Sequence, residues 1–150
     1  MDTVICGIQQ IGVGVADVVE AYNWYIKAFG CDVMVADADG IAERMLPYTG
    51  GLPRRRRAIL AANLQGGGGF EVWQPMDNNL HYLASEPVLG DLGTFAGRVK
   101  SRDAAKARGH FLALEGAKVL SEVTVSPSGQ KHFFIQDPWG NTYDIVEDGY

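Results

Sequence analysis

Apolar positions fall into two similar stretches, each a strand, a helix and three further strands. In the first, Gln9-Gln10-Ile11-Gly12-Val13-Gly14-Val15 alternates in the manner of a strand. Asp17 follows as a helix N-cap, with Glu20 three residues later to complete a box-like start. Val18, Tyr22, Tyr25 and Phe29 then recur at three- to four-residue spacing, placing one apolar stripe against a core. Gly30 stands where a helix-ending glycine belongs. Strands are expected near 32–38, 57–64 and 70–74, separated by turns rich in glycine and proline.

The second stretch repeats this order. Thr94–Val99 reads as a strand, Ser101 or Asp103 starts a helix reaching about Glu115, and Gly116 ends it. Gly109 inside that helix costs about 1 kcal/mol relative to alanine, so packing must hold the helix. Strands near 118–120, 131–136 and 142–147 complete the unit. Pro127-Ser128-Gly129 and Pro138-Trp139-Gly140-Asn141 supply the turns. The two stretches also end alike: Gly69-Phe70-Glu71-Val72-Trp73 answers Thr142-Tyr143-Asp144-Ile145-Val146. The expectation is one α+β domain over 1–150: a βαβββ module at about 5–75, a connector at 76–92 and a second module at about 93–148. The connector carries Asn78, Asn79, His81 and Tyr82.

Composition narrows the function classes. At 150 residues and 47% hydrophobic content the chain can bury a core of ordinary domain size. Thirteen basic against 18 acidic residues give a net charge of −5, which argues against nucleic-acid or anionic-membrane binding. The one dense basic run, Arg54 to Arg57, reads as a solvated loop and strand edge; the alternative is steering of an anionic substrate. Gly66 to Gly69 do not make a phosphate loop, because no Lys-Ser/Thr follows and the next element is a strand. No apolar stretch is long enough to span a bilayer, and the start lacks the pattern of a secretory signal. Cys6 and Cys31 lack metal-like spacing. They are expected as buried free thiols in a reducing cytoplasm.

The stretch Gln10-Ile11-Gly12-Val13-Gly14-Val15-Ala16-Asp17 resembles the opening strand and helix start of the vicinal oxygen chelate superfamily, which includes glyoxalases, bleomycin-resistance proteins and extradiol dioxygenases. Phe133–Asn141, with its Asp-Pro-x-Gly-Asn turn, and Tyr143–Glu147 resemble its closing hairpin. The resemblance spans nearly the whole chain. It implies two βαβββ modules with curled mixed sheets around a cup and helices outside, a divalent metal at the cup floor and a homodimer. The implied ligand positions fall on Gln10, Glu71, Thr94 and Asp144. Gln10 and Glu71 match a known variant of the pattern, Asp144 is a shortened acid, and Thr94 departs from it.

Strand alternation agrees with this mapping. If Gln10 faces the cup, Gly12 and Gly14 share its face while Ile11, Val13 and Val15 meet the helix. If Thr94 points in, so do Ala96 and Arg98, with Phe95 and Val99 opposite. The same parity turns Glu71, Trp73 and Asp144 inward.

An amide, two carboxylates and a hydroxyl form a hard oxygen set suited to magnesium, manganese or calcium. Nickel and zinc are kept as further candidates by the family resemblance. Iron-dependent ring cleavage is not expected, for want of two histidines and a carboxylate.

Besides a scaffold whose site has decayed and whose interface is its remaining role, two functions stay open at this point. One is a metal-dependent lyase or isomerase for a small oxygenated substrate, with Glu71 or Asp144 as proton shuttle. The other is a metal-free binding protein of the antibiotic-resistance kind. In either, Trp73 would stack on a planar ligand and Thr94 would line the wall. Arg98 would pair with a substrate carboxylate or with an internal acid. His132 faces inward beside Phe134 in one of two parities, where it would replace the missing histidine as base or ligand.

Overall fold

The computed structural model describes residues 4, 7–66, 68–77, 85 and 87–148. The expectations for Cys6, Asn78, Asn79, His81 and Tyr82 lie outside the described residues. The chain divides into two compact units, Met1–Leu80 and His81–Tyr150.

The first unit runs β1 (Gln10–Gly14), α1 (Val18–Phe29), β2 (Val33–Ile41), a 3-10 helix (Glu43–Tyr48), β3 (Arg55–Asn63) and β4 (Gly68–Pro75). Its sheet has the order β1-β4-β3-β2, with β1 parallel to β4 and the other neighbours antiparallel. The second unit contains β5 (Ala96–Ser101), α2 (Ala104–Ala113), β6 (Lys118–Val119), β7 (Thr124–Val125), β8 (Lys131–Gln136) and β9 (Thr142–Glu147). Its order is β5-β9-β8-β6, with β7 also pairing with β8 and β5 parallel to β9. Each unit follows the expected βαβββ order in an α+β fold with curled, unclosed sheets, the second adding the two-residue strand β7.

Local chemistry explains the helix ends. The Asp17 carboxylate accepts from the amides of Val19 and Glu20, both at 2.9 Å. Gly30 closes α1 in the left-handed region at φ 65°, donating to the Ile26 carbonyl. In the second unit Asp103 caps α2 by accepting from the Lys106 amide. The last strand of each unit supplies a second cap: the Val18 amide donates to Gln74 Oε1 at 3.1 Å, and the Ala104 amide to Glu147 Oε2 at 2.9 Å. Gln74 lies three residues beyond Glu71, and Glu147 three beyond Asp144, so the duplication extends to the caps.

The helix stripe differs in detail from the spacing. Val18, Ala21, Trp24, Tyr25 and Ala28 are the buried positions of α1, while Tyr22 and Phe29 are half-buried. Tyr25 meets Phe70 edge-on with ring centroids 4.8 Å apart, and Phe29 lies 5.0 Å from Phe70. In the second unit Phe111 of α2 meets Phe133 at 6.2 Å, over a floor that includes Ile135, Tyr143 and Ile145. Helix α2 ends at Ala113, short of the expected Glu115, and Phe95 lies exposed before β5.

Gly69 explains part of the glycine run. A Cβ there would sit 2.3 Å from the Ala61 carbonyl oxygen, so the β3–β4 approach excludes any side chain. Gly109 is the reverse case, with nothing within 4 Å of a Cβ. Gly109→Ala is expected to stabilise the protein by about 0.5–1 kcal/mol, read as a higher urea midpoint at unchanged slope.

Helix α2 also carries an acid-sensitive contact. Glu147 is held below its ordinary carboxyl value by the Ala104 amide, then by its bond to Lys131; Asp103 is lowered mainly by the Lys106 amide. A carboxyl lowered by folding contributes stability above its unfolded value, and loses it as pH falls through the folded one. Stability is expected to drop as pH falls through and below the ordinary carboxyl range. Glu147→Gln, which keeps an acceptor as Gln74 does, should flatten that decline in acid-unfolding titrations.

Candidate functional site

Strand register brings the expected acids onto the sheet faces opposite the helices. In the first unit Glu71 is paired with Gly12 and Leu60. Gln10 Nε2 donates to Glu71 Oε2 at 3.0 Å. Arg56 Nη2 lies 3.6 Å from Glu71 Oε1, so both carboxylate oxygens have a donor or cation beside them. Trp73, two residues on, lies over the bare backbone of β1: a Cβ on Gly14 would stand 3.4 Å from its ring, and one on Gly12 4.0 Å from its Nε1. The indole stays 37% exposed, enough to offer a ligand one surface.

The second unit holds a tighter set. Asp144 is paired with Arg98 on β5 and with Phe134 on β8. Arg98 Nε donates to Asp144 Oδ2 at 3.0 Å, and Nη2 forms an ion pair with the same oxygen at 2.9 Å. His132 Nδ1 lies 2.8 Å from Asp144 Oδ1, so the histidine takes the inward parity. The His132 and Phe134 rings meet edge-on at 5.5 Å. Asp144 is 7% exposed, whereas the Arg98 side chain is 58% exposed and that of His132 16%.

Comparison of the two registers assigns equivalent positions. Glu71 corresponds to Asp144, Gly12 to Arg98, Leu60 to Phe134 and Ala58 to His132. The partner of Gly69 is Gln10, and the partner of Thr142 is Ala96. Ala96 therefore occupies the place expected for Thr94, which is exposed and lies before β5 begins. A methyl group offers a metal no donor.

Arg56 was not foreseen as a site residue. Its run is part of β3, where odd and even arginines face opposite ways: Arg55 and Arg57 pair with Asp39 and Asp37 on one face, and Arg56 reaches Glu71 on the other. Extending the strand back to residue 55 would have shown this alternation. His110 is exposed on α2 and takes no part.

The arrangement does not fit a divalent ion. A metal at Glu71 would displace Gln10 and approach the Arg56 cation; at Asp144 it would displace the Arg98 hydrogen bond and ion pair and the hydrogen bond of His132. Among the described residues no group of three or more His, Cys, Asp or Glu side chains is placed to hold one. The remaining thiol, Cys31, is buried and pushed up to about 11 by desolvation and then by Asp32, so it is inert at neutral pH.

No family model matches the sequence, and a search of curated proteins finds no match. Solved structures do match. A glyoxalase family protein from Bacillus cereus superposes with a TM-score of 0.75 at 12% identity, covering 96% of this chain and 95% of that one. A lactoylglutathione lyase from Agrobacterium tumefaciens superposes at 0.58 with 19% identity, covering 95% and 93%. A member of the glyoxalase/bleomycin resistance protein/dioxygenase superfamily from Sphaerobacter thermophilus superposes at 0.57 with 17% identity, covering 96% and 98%. The chain has the fold of the vicinal oxygen chelate superfamily. Among the described residues no helix is long and apolar enough to cross a membrane.

Proposed function

We propose that this glyoxalase-like protein binds a small, neutral, oxygenated organic molecule without a divalent metal, on the face of the second unit that carries Arg98, His132 and Phe134. One observation carries this reading: each acid expected to hold the metal already has a cation of its own beside it, Arg56 for Glu71 and Arg98 for Asp144. A carboxylate compensated in this way, buried at Asp144 and half-buried at Glu71, gains little from a second cation, which would have to break the existing contacts. Each pair is formally neutral, which favours a neutral ligand over a charged one.

Arg98 commits its Nε–H to Asp144 and holds Nη2 in the ion pair, leaving donors for a carbonyl or hydroxyl oxygen. Phe134 supplies an apolar contact beside them, and the exposed indole of Trp73 a stacking surface in the first unit. The metal-dependent lyase reading keeps in its favour the two acids themselves. The homodimer implied by the resemblance has one support in the structure: edge strand β2 exposes Met34, Val35 and Ile41.

The test is a screen of small neutral carbonyl and hydroxyl compounds by nitrogen-proton NMR in excess EDTA. Binding that shifts the Arg98 Nε–H and His132 signals is expected with the chelator present. Binding seen only after manganese, nickel or zinc is restored would contradict the proposal.

A further inference from the structure

We propose that β2 is an interface strand, pairing antiparallel with β2 of a second copy about a two-fold axis at Ala38, so that two four-stranded sheets join into one. Pairing of this kind is independent of the ligand reading above and specifies the surface of the implied homodimer. Strand β2 is the outer strand of its sheet and runs for nine residues, Val33–Ile41. Among the described residues nothing pairs with its outer edge, which leaves N–H and C=O groups as a template for another strand. From Asp32 through Arg57 no residue is buried, although the stretch is rich in apolar side chains. Met34, Val35 and Ile41 are exposed on the strand, and Met45, Tyr48 and Leu52 on the connection to β3.

The duplicated fold provides an internal control. The second unit fills the same position, beside β8, with β6 and β7 of two residues each. Lys118 lies on β6, and the segment between the two strands carries Glu122, which pairs with Arg108. Short strands and charges are the usual means of keeping a sheet edge from pairing. The βαβββ order therefore does not need a nine-residue outer strand, and the length of β2 calls for a local explanation.

Charge does not protect β2 in the same way, because its two acids are held from within the sheet. Arg57 donates to both oxygens of Asp37 at 3.0 and 2.7 Å, and Arg55 to both oxygens of Asp39 at 2.9 Å. The row is neutral before a partner arrives, so two copies can align without the repulsion that bare carboxylates would feel. On the other face Ala36, Ala38 and Gly40 raise nothing larger than a methyl group. An axis at Ala38 sets Val35 of one copy opposite Ile41 of the other, and Asp37 opposite Asp39. Such an edge is complementary to itself, which singles out a second copy over a foreign strand.

The size of the patch agrees. The six exposed apolar residues present on the order of 600 Å², against about 800 Å² per partner in a stable interface, and the paired main chain adds to this. The connection past Ile41 is ordered by Thr49, whose Oγ1 donates to the Leu52 carbonyl at 2.6 Å and whose amide donates to the carbonyls of Met45 and Leu46 at 3.1 and 3.2 Å. An ordered connection that leaves Tyr48 81% exposed loses little freedom on docking.

Analytical ultracentrifugation at micromolar concentration should find the wild type at twice the chain mass. Ile41→Lys, at a position exposed in the single chain, should raise the dimer dissociation constant on the order of 100-fold. Adding Val35→Asp should restore much of the association, because the two positions lie about 20 Å apart along one strand and meet only between copies. Val125→Lys, exposed on β7, should leave association unchanged. Hydrogen exchange of the wild-type β2 amides should slow as concentration rises, a readout that needs no variant. A wild type that stays monomeric, or β2 exchange independent of concentration, overturns the proposal and leaves the edge to a foreign strand. A dimer indifferent to Ile41→Lys, weakened equally by Val125→Lys, or not restored by Val35→Asp overturns it by placing the interface elsewhere. Each of these outcomes leaves ligand binding in EDTA to its own test.

Discussion

Arg98→Met is expected to destabilise the protein by about 2–3 kcal/mol, because it strands a buried carboxylate. Asp144 is 7% exposed and would keep only His132 as a partner. Methionine retains an unbranched stem of similar reach, so lost packing contributes little. Breaking a fully buried pair costs about 3–5 kcal/mol, and the 58% exposure of Arg98 lowers that figure. Adding Asp144→Leu removes the orphaned charge and should recover most of the loss, whereas independent effects would add. Urea unfolding of the two single variants and the double variant measures the coupling. An unchanged midpoint for Arg98→Met would mean that the pair does not operate in solution.

Asp137→Ala should cost about 2–4 kcal/mol, since several donors lose one acceptor. Asp137 is 4% exposed and closes the Asp-Pro-x-Gly-Asn turn between β8 and β9. Its Oδ1 accepts from the amides of Trp139 at 2.9 Å and Asn141 at 2.8 Å, and its Oδ2 from the Asn141 side chain at 2.8 Å. The Asp137 amide in turn donates to the Asn141 carbonyl. Asp137→Asn keeps an oxygen for the two amides and gives up the side-chain bond, so it should cost roughly half as much. Because β8 carries His132 and β9 carries Asp144, loosening this hairpin should also disturb the site. Loss of the tight turn would appear as faster amide exchange at Trp139 and Asn141.

Features written in local chemistry were legible in the sequence. The Asp17 and Asp103 caps, the Gly30 stop, the closing turn and the matched strands 69–73 and 142–146 each depend on residues a few positions apart. Alternation correctly turned Glu71, Asp144 and Arg98 away from the helices, because one buried face fixes parity. It could not fix register. A slip of one residue swaps the faces, but a slip of two preserves them, and the Thr94 assignment slipped by two onto the place of Ala96.

Contacts across strands were the least visible. Arg56 meets Glu71 fifteen positions away because β3 begins at residue 55, two residues earlier than the apolar pattern marks. The choice between parities for His132 needed the β8–β9 register, which pairs it with Val146 and sets it beside Asp144. The 3-10 helix at Glu43–Tyr48 carries Pro47 and has no periodic signal. Pairing of both acids with arginines was the consequential result, because the sequence shows the acids while register decides what neutralises them.

Calorimetric titration of chelator-stripped protein with manganese, nickel and zinc, with Glu71→Gln alongside, tests the metal-free reading most directly. The expected result is no micromolar binding by the wild type and no difference between the two proteins. Micromolar binding that disappears in Glu71→Gln would contradict it, and would restore the metal centre that Gln10, Glu71 and Asp144 were expected to form.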